Sequence, residues 1–158
     1  MKYPNGDFIE GAKPSNPKDA VGVLKVSLSY VPSTVLWELA VGMQEGGYKY
    51  GRHNYRSIGV RGSVYYDATM RHLMAWWEGE DTDPDSGLSH VTKAIASLVV
   101  LRDAMLLNKF VDDRPPKAKI ILHELNRNVE TLAAKYPKPV PPYTEVDKSW
   151  ADAATKDR

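Results

Sequence analysis

Hydrophobic side chains recur every three or four residues along four stretches of the chain, and this spacing places them on one face of an α-helix. No stretch shows the alternation of a β-strand, and no segment repeats. The pattern therefore predicts an all-α domain built around four helices. These run from Val35 to Gly46-Gly47 or Gly51, from about Tyr65 to Trp77, from about Leu88 to Leu107 and from about Lys117 to Lys135.

Two terminal segments lack this periodicity. Residues 1–32 are rich in Pro, Gly and Asn, which predicts an irregular arm packed on the helices. The proline-rich tail from Pro137 is expected to be extended or disordered. A length of 158 residues is typical of one domain. We therefore expect a single domain over residues 1–136 and a tail over residues 137–158.

The composition narrows the classes of partner. With a formal net charge of +1, the chain has no global attraction to nucleic acid or to an anionic membrane. It has no cysteine, which excludes disulfides and thiolate zinc sites and is compatible with a reducing cytoplasm. It also shows no signal peptide and no apolar run long enough to span a membrane. We expect a cytoplasmic protein that binds neither membrane nor nucleic acid.

Charge is unevenly distributed along the chain. Residues 43–72 carry five Lys or Arg against two acids, whereas residues 73–90 carry five acids and no Lys or Arg. A site for a metal-bound polyphosphate needs both, because carboxylates hold the metals and cations hold the phosphates. The alternative is an ordinary charged surface.

The acidic stretch EGEDTDPDSG has three possible roles. As a calcium loop it places Asp81, Asp83 and Asp85 correctly, but Ser86 and Thr92 stand where an EF-hand needs Gly and Glu. As a solvated turn, it would use Asp85 or Ser86 to cap the next helix. As one wall of a metal site, it would use Glu78 and Asp81, which share a face if the preceding helix continues past Gly79.

The first predicted helix carries a second acidic face, formed by Glu38, Gly42, Glu45 and Lys49 at helical spacing. If this helix packs antiparallel to the second, Glu38 lies near the acidic stretch. Glu38 and Glu45 are about 10 Å apart along the axis, so they would bracket two ions rather than share one. The alternative is a wet helix face with an accidental pair of glutamates.

Four blocks of sequence carry a resemblance to a known family. They are NPKD (residues 16–19), EGGYKYGRHNYR (45–56), YYDATMRHLMAWWEGEDTDPDSGLSHVTKAI (65–95) and SLVVLRDAM (97–105). Over roughly residues 14 to 107 the chain resembles the phage and bacterial dATP/dGTP diphosphohydrolases, MazZ-like enzymes related to the MazG-type all-α NTP pyrophosphatases.

The resemblance implies a four-helix-type bundle of the MazG-like kind that assembles as a homo-oligomer, a dimer or tetramer. It implies hydrolysis of a purine (deoxy)nucleoside triphosphate to the monophosphate and pyrophosphate, with two or three Mg²⁺ or Mn²⁺ ions as cofactors. The resemblance favours dGTP, with dATP or GTP as alternatives, and a phage-encoded enzyme would act in the host cytoplasm. In such enzymes the metal-binding acids commonly occur in ExxE and ExxD motifs. Here E78-G-E-D81 fits ExxD, but the first helix has glutamates seven residues apart.

We assign candidate roles on this basis. The metal ligands are Glu38, Glu45, Glu78, Asp81 and Asp67, the catalytic carboxylate is Glu80, and the substrate-binding residues are Lys49, Arg52, Asn54, Arg71, His72 and His90. Each has a structural alternative: the cations as surface charges, Asp67 and Arg71 as an intrahelical pair, and the histidines as core residues. Trp76 and Trp77 are either core residues or platforms for a purine.

Two non-catalytic functions compete with the enzyme. The stretch GGYKYGRHNYR alternates aromatic and cationic residues, which is a pattern of single-stranded nucleic-acid binders. The neighbouring acids would repel a phosphate backbone. A helical interaction module is the third possibility, and neither alternative explains an acidic helix face opposite an acidic turn.

Overall fold

The computed structural model describes Lys18, residues 25–119 and residues 122–144. The NPKD block apart from Lys18, most of the predicted N-terminal arm and the end of the tail lie outside these residues. The chain divides into two compact units, Met1–Arg114 and Pro115–Arg158. The described residues form five α-helices and two short strands, which confirms the all-α class. They are α1 (Ser33–Tyr50), α2 (Asn54–Ile58), β1 (Val60–Arg61), α3 (Gly62–Trp77), α4 (His90–Leu106), β2 (Phe110–Val111) and α5 (Leu122–Ala133), preceded by a 3₁₀ turn at Leu28–Tyr30.

Helix α1 passes through Gly46 and Gly47, the first of its two predicted stops, and ends at the second, Gly51. Gly46 and Gly47 are helical, and the helix stops at Tyr50, before Gly51, whose φ of 91° lies in the region that favours glycine. The glycine-rich part of α1 therefore belongs to the helix and removes side chains from one of its faces.

Helix α3 begins at Gly62, before the predicted start at Tyr65. The reason is a distant carboxylate: Asp113 accepts hydrogen bonds from the backbone N–H of Ser63 at 2.8 Å and from its hydroxyl at 2.5 Å. A carboxylate at this position satisfies a free N–H of the first turn and opposes the positive end of the helix dipole. These hydrogen bonds also lower the pKa of Asp113.

The two strands were not predicted, because each has only two residues and so shows no alternation. They pair in parallel, with Val60 opposite Phe110 and Arg61 opposite Val111. Gly59 precedes the pair with a φ of 85°, and a Cβ there would lie 2.8 Å from the carbonyl oxygen of Lys109. The close approach of these two backbones therefore requires glycine.

Helix α4 packs against both α3 and α1 and is the principal partner of each. A Cβ added at Gly42 of α1 would meet the side chains of Leu88, Thr92 and Ala96 at 3.7–3.9 Å, so α4 covers this glycine. The face of α1 that carries Glu38 and Glu45 is thus directed at α4.

Few side chains of the first unit are buried, and its core cluster consists of Tyr55, Val60 and Ala104, with residues such as Met43 and Tyr65 packed around it. No large side chain in the described ranges is fully buried, and many apolar ones are exposed. None of the helices described is both long and apolar enough to cross a membrane. In the second unit, α5 is followed by exposed residues without regular structure up to residue 144.

Candidate active site

The acidic stretch between α3 and α4 folds into a tight turn. Helix α3 ends at Trp77, and Gly79 has a φ of 95°, so the helix does not continue to Asp81. Beyond it Thr82 and Ser89 form an antiparallel bridge. The condition under which Glu78 and Asp81 would share one helical face is therefore not met.

Helix α4 is capped by a residue other than the two expected. The hydroxyl of Ser89, and not Asp85 or Ser86, accepts a hydrogen bond from the backbone N–H of Val91 at 3.2 Å. Ser86 instead donates its hydroxyl to Asp83 at 2.5 Å, and this bond lowers the pKa of Asp83. The turn thereby fixes Asp83 as an ionised carboxylate beside the start of α4.

Both glutamates of the α1 face bond to α4. The hydroxyl of Thr92 donates to Glu38 at 2.7 Å. The ammonium of Lys93 donates to one oxygen of Glu45, and Lys49, one turn further along α1, donates to the other at 2.5 Å. The pKa of Glu45 is lowered by Lys49 and Lys93, in that order, and the pKa of Lys49 is raised by Glu45.

A cavity of about 630 Å³ opens beside this ion pair. It lies between the C-terminal half of α1, the loop after it, α2 and the middle of α4. Four of the predicted site residues line it, namely Glu45, Lys49, Arg52 and Asn54, together with Lys93. Its deeper wall includes Tyr55 and Tyr65, whose hydroxyl pKa values are raised mainly by burial.

The part of α1 that lines this cavity includes a glycine, which exposes helix backbone there. Gly46 lines the cavity, and a Cβ added there would meet no atom within 4 Å. Gly42, which stands between Glu38 and Glu45 on the acidic face of α1, has no such space because α4 covers it. The open glycine is Gly46.

A second polar cluster adjoins the first through Lys93, whose ammonium lies 4.0 Å from Asp83. The Nδ1 atoms of His72 and His90 are 2.8 Å apart. One nitrogen of each ring and one oxygen of Asp83 all lie within 4.8 Å of one another. Burial and then the neighbouring His90 lower the pKa of His72, which favours its neutral form.

His90 is 5% exposed, and its Nε2 has no hydrogen-bond partner. The nearest carboxylate oxygen belongs to Glu80, 3.7 Å from that nitrogen. This distance is too long for a hydrogen bond. The cluster therefore contains a buried polar atom that the protein leaves unsatisfied.

The structure brings together most, but not all, of the residues assigned from sequence. Glu45, Lys49, Arg52 and Asn54 meet at the cavity, Glu38 lies on the same helix face, and Glu80, His72 and His90 gather at the second cluster. Asp67, Glu78 and Asp81 are exposed, and in the described ranges their side chains make no hydrogen bond or ion pair. Arg71 is exposed as well, and its charge acts on His72.

Two residues of this site were not assigned from the sequence. Lys93 bonds to Glu45 over a separation of 48 residues, although it was not among the assigned site residues. Asp83 was not among the assigned metal ligands either, yet its side chain is only 13% exposed and lies close to the histidines. The one feature of the sequence that could have indicated Lys93 is its spacing, because it follows His90 by three residues and so lies on the same face of α4.

A family model described as dATP/dGTP diphosphohydrolase, N-terminal, matches residues 15–114. No curated protein and no solved structure matches the chain.

Proposed function

Because the chain belongs to the dATP/dGTP diphosphohydrolase family and is a nucleoside triphosphate diphosphohydrolase, we propose that it hydrolyses a purine deoxynucleoside triphosphate, with dGTP favoured, to the monophosphate and pyrophosphate. The observation that carries this proposal is the cavity of about 630 Å³ lined by Glu45, Lys49, Arg52, Asn54 and Lys93. Ligand cavities of ~300–1,000 Å³ enclose molecules of this size.

The cations of the cavity suit a triphosphate. Arg52 is exposed at its rim, where its guanidinium can bind two phosphate oxygens at once. Lys49 and Lys93 hold Glu45 between them, so phosphate oxygens reaching this point meet ammonium groups already held in position. Asn54 offers an amide that can both donate and accept hydrogen bonds.

The base would lie against the aromatic wall. Tyr50, Tyr55 and Tyr65 line the cavity, whereas Trp76 and Trp77 do not. Tyrosine rings stack on a purine, and a hydroxyl whose pKa is raised stays protonated as a hydrogen-bond donor. The proposal therefore assigns purine stacking to the tyrosines.

The acids of α1 fit a hard divalent cation. Glu45 is 20% exposed, and each of its oxygens accepts a bond from Lys49 or Lys93, so a metal ion would bind this carboxylate when an ammonium group turns from it to the phosphates. Carboxylate oxygens are the donors that Mg²⁺ and Mn²⁺ take. Glu38 and Glu45 are the proposed principal ligands, and Glu78, Asp81 and Asp67 stay predictions. The ions, two or three in number, would supply charge neutralisation for the phosphates and acidify the attacking water.

The water attacks the α-phosphorus, the bond to the β-phosphate oxygen breaks, and pyrophosphate leaves. Glu80 does not line the cavity and stays a prediction as the acceptor of the water's proton, because its carboxylate is exposed and carries no cationic partner among the described Lys and Arg side chains. His72 and His90 contact each other rather than the cavity, so the proposal does not retain them as substrate ligands.

We also propose that the enzyme acts as a homo-oligomer, a dimer or tetramer. Trp37 is 69% exposed, Trp77 78% and Met74 61%. Exposed aromatic and apolar surface of this extent is typical of an interface. Light scattering coupled to gel filtration tests this part, and a monomeric mass at micromolar concentration would contradict it.

The reaction is tested by incubating the protein with each dNTP in H₂¹⁸O with Mg²⁺ or Mn²⁺ and resolving the products by phosphorus NMR. We expect the monophosphate and pyrophosphate, with ¹⁸O in the monophosphate because water attacks the α-phosphorus. Glu45→Gln should lower kcat/KM by about 10²-fold or more, whereas Glu130→Gln, on the exposed face of α5, is the matched control. Formation of the diphosphate and orthophosphate, or label in pyrophosphate, would refute the mechanism.

A further inference from the structure

Two imidazoles and one carboxylate meet where α3, the acidic turn and α4 come together. They are His72, Asp83 and His90, and one donor atom from each lies within 4.8 Å of the other two. His90 is 5% exposed and the side chain of Asp83 is 13% exposed. Asp83 and His90 are thus largely shielded from water, and the three donor atoms lie close to one another.

One buried polar atom of this cluster has no hydrogen-bond partner in the structure. The 2.8 Å contact between the two Nδ1 atoms requires one ring to donate and the other to accept. In either arrangement the Nε2 of His90 is left without a partner, as a buried N–H or as a buried lone pair. Native proteins rarely leave a buried polar atom in this condition.

We propose that His72, Asp83 and His90 bind one divalent first-row transition metal, such as Zn²⁺, Co²⁺ or Mn²⁺, through the two Nδ1 atoms and the Asp83 carboxylate. Imidazole nitrogen is a good donor for these ions, whereas Mg²⁺ and Ca²⁺ take oxygen. The site is therefore distinct in chemistry from the all-oxygen set on α1.

A metal at this point would fix the tautomer of both rings. With both Nδ1 lone pairs directed at the ion, both rings carry their proton on Nε2. The Nε2–H of His90 then points toward Glu80, whose oxygen is 3.7 Å away and needs only a small side-chain movement to accept it. Metal-binding histidines commonly donate their second nitrogen to a carboxylate in this way.

The spacing of the two nitrogen donors agrees with this assignment. Zinc–nitrogen distances of ~2.0–2.1 Å place two tetrahedral ligands about 3.3 Å apart. The observed 2.8 Å is within about 0.5 Å of that separation. A small rotation of either ring would accommodate the ion.

The inference uses none of the residues that line the cavity, but the two sites share Glu80, the proposed proton acceptor of the hydrolysis, and are linked by Lys93, which lies 4.0 Å from Asp83. Metal binding is therefore measured on the full chain without nucleotide, so that its failure and a failure of the hydrolysis are separate results.

The experiment titrates Co²⁺ into tag-free protein that has first been dialysed against a chelator. We expect a visible absorption band that saturates at one equivalent and is removed by Zn²⁺. Zn²⁺ and Co²⁺ should raise Tm by several degrees at micromolar concentration, and Mg²⁺ at the same concentration should not, because only a ligand that binds the folded state raises stability.

Variants assign the ligands. His72→Asn and Asp83→Asn should weaken Co²⁺ binding by about 100-fold or more, and Glu80→Gln by about 10- to 100-fold, the usual effect of losing the outer carboxylate. His123→Asn, on α5, is the matched control and should bind as wild type.

Three results would overturn the site. They are the absence of a cobalt band, equal stabilisation by Mg²⁺, and unchanged cobalt affinity in both His72→Asn and Asp83→Asn. Circular dichroism verifies that the variants fold. If neither variant folds, the comparison of Co²⁺ with Mg²⁺ on the wild-type protein decides the question.

Discussion

Gly46 offers the sharpest test of the cavity, because one substitution there should move stability and activity in opposite directions. The residue lies within α1 and has ordinary helical geometry. A Cβ added there would meet no atom within 4 Å and would project into the cavity. Gly46→Ala is therefore free of any clash in the protein without substrate.

The expected gain in stability follows from helix propensity. Glycine inside a helix costs about 0.5–1 kcal/mol relative to alanine. Gly46→Ala should thus raise the free energy of unfolding by about 0.5–1 kcal/mol, which corresponds to roughly 2–5 °C in Tm.

The expected loss of activity follows from the volume of a methyl group. If the triphosphate or the purine lies against the Gly46 backbone, the methyl group overpacks the complex at a cost of about 1–3 kcal/mol. The ratio kcat/KM should then fall by about 5- to 150-fold. A larger residue in the series, Gly46→Leu, should lower it further while the helix remains intact.

The assay combines thermal and urea unfolding with steady-state hydrolysis of dGTP. Asn128→Ala, which raises helix propensity on α5 without touching the cavity, serves as the control and should leave kcat/KM unchanged. Gly46→Ala with improved stability and wild-type kcat/KM would show that substrate does not occupy this cavity. A fall in stability would contradict the open geometry at Gly46.

Three further predictions address other contacts. Gly59→Ala should lower the free energy of unfolding by about 1–3 kcal/mol or more, because it strains a residue at a φ of 85° and presses a methyl group on the Lys109 carbonyl. A loss below about 0.5 kcal/mol, measured by urea unfolding, would contradict this prediction. Asp103, whose pKa is lowered by Arg56 at 2.7 Å, contributes stability that is present above the pKa of an unfolded aspartate and lost as pH falls through its lowered folded value. The difference in Tm between wild type and Asp103→Asn should therefore be present at neutral pH and close in acid, and a difference independent of pH would refute the ion pair. Lys49→Met should raise KM for the triphosphate by about 10-fold with a smaller effect on kcat, since it removes one charged contact at the cavity; unchanged kinetics would remove Lys49 from the site.

The helices were predictable because their signal is local. An apolar residue every three or four positions is visible over a few turns, and four stretches of this kind correspond to α1, α3, α4 and α5. Their ends were less predictable. Helix α3 starts at Gly62 because Asp113, 50 residues away, bonds to its first turn, and no local pattern reports such a partner.

For the candidate site, too, the sequence indicated local features but not which distant residues meet. The residue types were identified from the sequence, since a cationic stretch followed by an acidic one predicts a polyphosphate site. Their grouping was not identified. The expectation that Glu38 lies beside the acidic turn assumed that the first two long helices pack on each other, whereas α4 is the main partner of both. Glu38 and Glu45 accordingly bond to Thr92 and Lys93.

The sequence by itself determined that the chain is helical, where its charged residues are concentrated and which family it resembles. These properties reside in short segments or in residue identity. Tertiary structure decided which glycine is open, that Lys93 bridges Glu45 and Asp83, and that His72 and His90 meet although 18 residues separate them. The physical reason is that each of these depends on the angle and register at which α4 packs on its neighbours, and helix packing is set by side chains that lie far apart in the chain.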